Sequence, residues 1–112
     1  MGGMDERTEA LRAIPLFASL EETGLAEIAD LLIDRKFPKD AVIFEDGSIG
    51  DYMYVIRSGE VKVTKMSEDG REKILEILGD GEFFGEMALL DRQPRSASVK
   101  TTRPCTLLAL SR

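Results

Sequence analysis

Between residues 41 and 110 the chain is cut into short apolar or alternating runs, each closed by a turn. Ala41–Phe44 is β-branched and apolar. Asp51–Ile56 carries Tyr52, Tyr54, Val55 and Ile56, and Ser58-Gly59 then turns the chain. Glu60–Lys65 alternates, with Val61 and Val63 on one face. Asp69-Gly70 is a hairpin signal leading into Lys73–Leu78. Phe83-Phe84, Ser96–Lys100 and Pro104–Leu110 complete the series, and Arg35–Asp40 adds an extended piece before it. About eight short strands, with turns every eight to twelve residues or so, specify an antiparallel sandwich or roll. The expected fold is mainly β, a jelly-roll-like antiparallel β-roll.

Two short helices are expected ahead of it. Asp5–Ile14 reads as the first, stopped by Pro15. Glu21–Ile33 reads as the second, with Leu25, Ile28, Ala29, Leu32 and Ile33 on one face and Ser19 offered as the N-cap. Such a helix covers one end of a β core. Met1-Gly2-Gly3 before Met4 reads as a cloning remnant, so residues 1–4 are set apart and residues 5–112 form one domain.

Composition excludes several kinds of chemistry. With no histidine, the chain has no Ser-His-Asp triad, no Cys-His pair and no histidine metal site. No calcium-type acidic loop is present, so no metal is assigned. The single cysteine, Cys105, alternates with Leu107 and Ala109 and reads as a buried structural thiol. No apolar run is long enough to span a membrane, and no secretory leader is visible. A cytoplasmic location is expected. The net charge of −6 is unfavourable for nucleic acid, and none is expected to be bound by this chain. It also means that any anion site must be made locally. Between Gly85 and Lys100 the balance reverses, with Arg92, Arg95 and Lys100 against Glu86 and Asp91.

Phe84–Val99 departs from ordinary strand sequence. It combines a glycine, an acid, a helix-capable stretch (Glu86–Leu90), a turn ending in Pro94, and Arg95 entering the small residues Ser96-Ala97-Ser98. Free N–H groups at a short helix start attract anions. An arginine supplies a planar fork for two phosphate oxygens. An acid beside an anion site makes sense if it accepts from another part of the ligand, such as a sugar hydroxyl.

These residues, F-G-E-x-A-L followed by P-R-S-A-x-V, resemble the phosphate-binding cassette of the cyclic nucleotide-binding domain family. The spacing Gly47…Gly50-Asp51…Tyr54-x-Ile56-x-x-Gly59-x-Val61-x-Val63 resembles the same family, so the likeness runs from Ile14 onward. The resemblance implies that Gly85 and the N–H groups of Glu86, Met87 and Ala88 approach a cyclic phosphate, next to Phe84. It implies that the Glu86 carboxylate accepts from the ribose 2′-OH and that Arg95 pairs with the phosphate, with Ser96 and Ala97 adding contacts. Ser96 can instead cap a backbone group. Val63 and Leu75 resemble purine-contacting positions, with plain core packing equally open.

The expected function is a cyclic nucleotide sensor, most simply of cyclic AMP with cyclic GMP as the other candidate, in a bacterial transcription regulator of the catabolite-activator type. No cofactor and no catalysis are expected. The resemblance further implies a lid helix and output domain beyond Arg112, a homodimer in the full-length parent and a mainly monomeric chain here. A channel or kinase domain, or a ligand-free interaction module on the same roll, are the alternatives.

Overall fold

The computed structural model describes residues 8–9, 11–13, 17–85 and 94–111. One ten-residue helix, α1 (Glu22–Leu31), precedes eight strands: β1 (Ile33–Phe37), β2 (Val42–Phe44), β3 (Tyr52–Ser58), β4 (Val61–Met66), β5 (Glu72–Leu78), β6 (Phe83–Phe84), β7 (Ser98–Thr101) and β8 (Cys105–Ser111). They form two four-stranded antiparallel sheets, ordered β1-β8-β3-β6 and β2-β7-β4-β5. This is the expected β-roll. Of the expected first helix, residues 8–9 and 11–12 are helical and the rest of Asp5–Ile14, apart from Ala13, lies outside the described residues. The cassette helix, 86–90, also lies outside them.

The start and end of α1 differ from the sequence expectation. Its N-cap is Glu21, which makes no side-chain cap bond, and Ser19 lies in the preceding turn. Its end is set by sheet pairing. Leu32 is already extended at φ −72°, ψ 139°, and Ile33 pairs with Ala109 as the first residue of β1. The ladder to β8 therefore takes Ile33 away from the helix face.

Two apolar clusters share β3 and β8. Met53, Val55, Leu108 and Leu110 face α1, packing with Leu25, Ala29, Leu32, Leu11 and Phe17. Tyr54, Ile56, Leu107 and Ala109 point the other way, into the roll, with Val61, Leu78, Phe84, Val99 and Cys105. Covered on both faces, these two strands read as near-continuous apolar runs. Cys105 is buried as expected. Its thiol donates to the Glu60 and Arg103 carbonyls, and burial pushes its pKa up. Strand β5 differs: six of its seven residues are exposed, and it forms the edge of its sheet. The 67–71 loop that enters it is the expected Asp-Gly hairpin, with Gly70 at φ +84°. Among the described residues no helix is long and apolar enough to cross a membrane, and no cluster of side chains suits a metal.

The 38–41 turn is held to β7 by one side chain. Thr101 is fully buried; its Oγ1 donates to the Pro38 carbonyl at 2.6 Å and accepts from the Ala41 N–H at 2.8 Å. Main-chain bonds from Asp40 N to Thr101 O and from Thr101 N to Ala41 O complete the join. Thr101→Val keeps the shape and strands two backbone groups. It is expected to lower unfolding free energy by about 1–3 kcal/mol. A urea titration reads this as a lower midpoint at unchanged slope.

Candidate functional site

The site forms where three separated segments meet: the 45–50 loop, the end of β6 at Gly85, and the 94–97 segment entering β7. Two reciprocal main-chain bonds, Arg95 N to Ser48 O and Gly47 N to Arg95 O, both 2.7 Å, fix Arg95 against the loop. Asp46 N adds a 2.9 Å bond to Ser98 Oγ. The Arg95 side chain then runs inward. Nη2 donates to the Tyr52 carbonyl at 2.7 Å and Nη1 to the Gly85 carbonyl at 3.3 Å. Its guanidinium carbon stands 4.1 Å from the Phe44 ring centroid, within cation–π range. Nε is buried without a hydrogen-bond partner. Burial lowers the Arg95 pKa, with Tyr54 and Asp51 pulling the other way. The guanidinium nevertheless stays charged, as arginine does in proteins.

Two glycines make room for this group. A Cβ on Gly50 would lie 2.5 Å from Arg95 Nη2, and its three nearest heavy atoms all belong to Arg95. A Cβ on Gly85 would lie 2.8 Å from Nη1 and 3.3 Å from the Tyr52 oxygen, and Gly85 sits at φ +77°, where side chains are strained. The apolar floor is aromatic. Phe44 lies 5.9 Å from Phe84, and Tyr54 stacks on Phe84 at 5.3 Å. Burial raises the Tyr54 pKa, opposed by the positive Arg35 and Arg95.

The expected site residues divide three ways. Phe84, Gly85, Arg95 and the buried Ala97 are brought together here. Ser96 is exposed, and its carbonyl accepts from Lys65 Nζ at 3.1 Å. Val63 borders the core inside the roll, directly paired with Val99, while Leu75 is half exposed on β5. Glu86, Met87 and Ala88 lie outside the described residues. Sequence reasoning missed Phe44, Gly50 and Lys65. Gly50 was visible only as one glycine of the family spacing, and nothing in the chain order linked it to an arginine 45 positions later. Phe44 looked like any strand aromatic.

This assembly is an electropositive, desolvated fork on an aromatic floor, at a glycine-made gap between main-chain segments. It suits a small anion with an apolar or stacking body attached. Residues 34–112 match the sequence profile of the cyclic nucleotide-binding domain. The chain belongs to that family. It is 33% identical over 104 residues to a CRP-like cAMP-activated global transcriptional regulator of Mycobacterium tuberculosis, covering 93% of this chain and 46% of that protein. It is 43% identical over 89 residues to a cAMP-dependent protein kinase regulatory subunit of Aspergillus fumigatus, covering 80% of this chain and 21% of that one. The fold superimposes on the regulatory domain of Toxoplasma gondii PKA, co-crystallised with cAMP, at TM-score 0.93 and 31% identity, covering 98% of this chain and 42% of that one. The chain thus spans less than half the length of each of these relatives.

If Gly50 exists to admit Arg95, the two positions are energetically coupled. Gly50→Ala is expected to cost about 1–3 kcal/mol by overpacking. In an Arg95→Ala background most of that cost should vanish, because the colliding atoms are gone. Denaturant unfolding of the wild type and the three variants gives the coupling energy directly.

Proposed function

We propose that this chain is a non-catalytic sensor domain that binds cyclic AMP in the gap lined by Gly85, Arg95 and Phe44. The observation that carries the reading is the Arg95 guanidinium, desolvated and held on two main-chain carbonyls beside a positive-φ glycine. A half-buried arginine of that kind has little stabilising use, since taking even part of a charge out of water is unfavourable. It makes sense as a preformed fork for phosphate oxygens. Glu86 accepts from the ribose 2′-OH, the N–H groups of Glu86, Met87 and Ala88 face the phosphate, and Ser96 and Ala97 complete the cassette. Val63 and Leu75 flank the base. The M. tuberculosis relative is cAMP-activated and the T. gondii domain was co-crystallised with cAMP, which supports cyclic AMP as the ligand. A transcription regulator is the proposed parent. A kinase regulatory subunit is the second reading, favoured by the 43% identity to the A. fumigatus protein. Binding energy does no chemistry in either; it shifts the balance between conformations of the elements around the roll.

Removing one member of a desolvated charge pair costs about 3–5 kcal/mol, on the order of 10²–10³ or more in affinity. Arg95→Ala is therefore expected to abolish cyclic AMP binding in calorimetry while its melting transition remains cooperative. Near wild-type affinity in this variant would sink the assignment. In the wild type, cyclic AMP should raise the melting point. At about 100 times the dissociation constant the gain is about 2.7 kcal/mol, while plain AMP should give none. The 2′-deoxy analogue should bind the wild type more weakly, and Glu86→Ala should lose most of that preference; equal discrimination by both proteins would remove Glu86 from the ribose.

A further inference from the structure

We propose that Lys65 is a positioning residue of the nucleotide site: its ammonium holds the main chain at Ser96, so that the Ser96 N–H and hydroxyl are aimed at the phosphate. This rests on the cyclic-nucleotide reading above and adds to it a residue outside the arginine-bearing motif. The placement follows from where the sheet stops. The ladder between β4 and β7 ends with Thr64 opposite Ser98, and the 94–97 segment lies before β7 begins. Ladder pairing therefore stops short of Ser96. Lys65, the next residue along β4, covers the distance with its side chain, and its Nζ donates to the Ser96 carbonyl at 3.1 Å. The same ammonium stands 4.0 Å from the Asp46 carboxylate, and the Asp46 N–H donates to Ser98 Oγ at 2.9 Å. One side chain thus joins β4, the 45–50 loop and the segment that carries Arg95.

The consequence for Ser96 is geometric. A trans peptide is planar and points its C=O and N–H in opposite directions. The 95–96 peptide is fixed through its carbonyl, which accepts from Gly47 N at 2.7 Å. Its N–H, that of Ser96, is thereby turned away from the 45–50 loop. The 96–97 peptide is fixed through its own carbonyl by Lys65. With both flanking planes held, the φ and ψ of Ser96 are set, and with them the direction of its N–H and of its side chain. Ser96 is exposed, so packing does not impose this. Fixing the backbone beforehand removes an ordering cost from the binding step. Lysine suits the task, with a long stem and a head that only donates. The competing role is long-range attraction of an anion to a chain of net charge −6. Lys73 separates the two: it pairs directly with Lys65, so it carries the same charge on the same face.

The test is calorimetry with cyclic AMP on the wild type, Lys65→Met, Lys65→Arg and Lys73→Met, with the Ser96 amide followed by heteronuclear NMR. Lys65→Met should weaken binding roughly three- to tenfold, the effect of one hydrogen bond from a charged donor. Lys65→Arg keeps a donor and should stay within about twofold of the wild type, as should Lys73→Met, which loses charge without losing the grip. The loss in Lys65→Met should persist at about 0.5 M salt, where attraction between exposed charges is screened within a few ångströms. The Ser96 amide should shift on adding ligand to the wild type and Lys65→Arg, and shift less in Lys65→Met. Lys65 is exposed, so melting curves of all variants should match the wild type. Wild-type affinity in Lys65→Met, or no rescue by Lys65→Arg, overturns the grip. An equal loss in Lys73→Met, or a loss that vanishes in salt, reduces Lys65 to a charge and overturns the positioning role. An undiminished amide shift in Lys65→Met removes Ser96 as the point of action. No heat from the wild type overturns the cyclic-nucleotide reading itself.

Discussion

The arrangement around Arg95 depends on one unfavourable fact, a guanidinium drawn partly out of water. Its fork donates to the Tyr52 and Gly85 carbonyls, its Cζ stands over the Phe44 ring, and its Nε is left without a partner. None of these contacts equals full hydration or a carboxylate partner, so the group is held ready by its surroundings. Those surroundings come from distant parts of the chain. Tyr52 opens β3, Gly85 follows β6, Phe44 closes β2, and the Arg95 backbone is pinned to Gly47 and Ser48. An antiparallel roll brings such ends together because its two sheets pass strands back and forth across one interior.

Strand β3 links this interior to the helix outside. Tyr54 and Ile56 face the roll while Met53 and Val55 face α1. The carbonyl that receives Arg95 belongs to Tyr52, one residue from a side chain packed in the helical cluster. Packed cores respond to displacement as units, not by continuous deformation. Any change in the grip on Tyr52 is therefore felt within one peptide unit of the helix contact, with no relay of side chains required.

Much of the fold was legible in the sequence because strand faces obey a period of two. Val61 and Val63, Leu107 and Ala109, and the Asp69-Gly70 hairpin all fell where alternation and turn chemistry placed them. Arg95 and Gly85 were legible too, as unusual residue types in an unusual order. What escaped was whatever long-range pairing decided. Ile33 continues the helical apolar face in sequence yet pairs with Ala109. The ladder from β4 to β5 skips Leu75, a bulge that no local pattern announces. Gly50 stood out only within the family spacing, although its job is to leave space for the Arg95 side chain.

That last feature changes how loss of the site would show itself in a related sequence. The arginine is the obvious marker, but its pose depends equally on a missing methyl group 45 positions upstream. A chain that kept the arginine and gained any side chain at the Gly50 position would pass inspection by motif while its fork was forced out of place. Decay of such a site can thus begin silently, in a loop outside the arginine-bearing motif. The pair, glycine and arginine together, is a stricter signature of the fork's pose than the arginine-bearing motif alone.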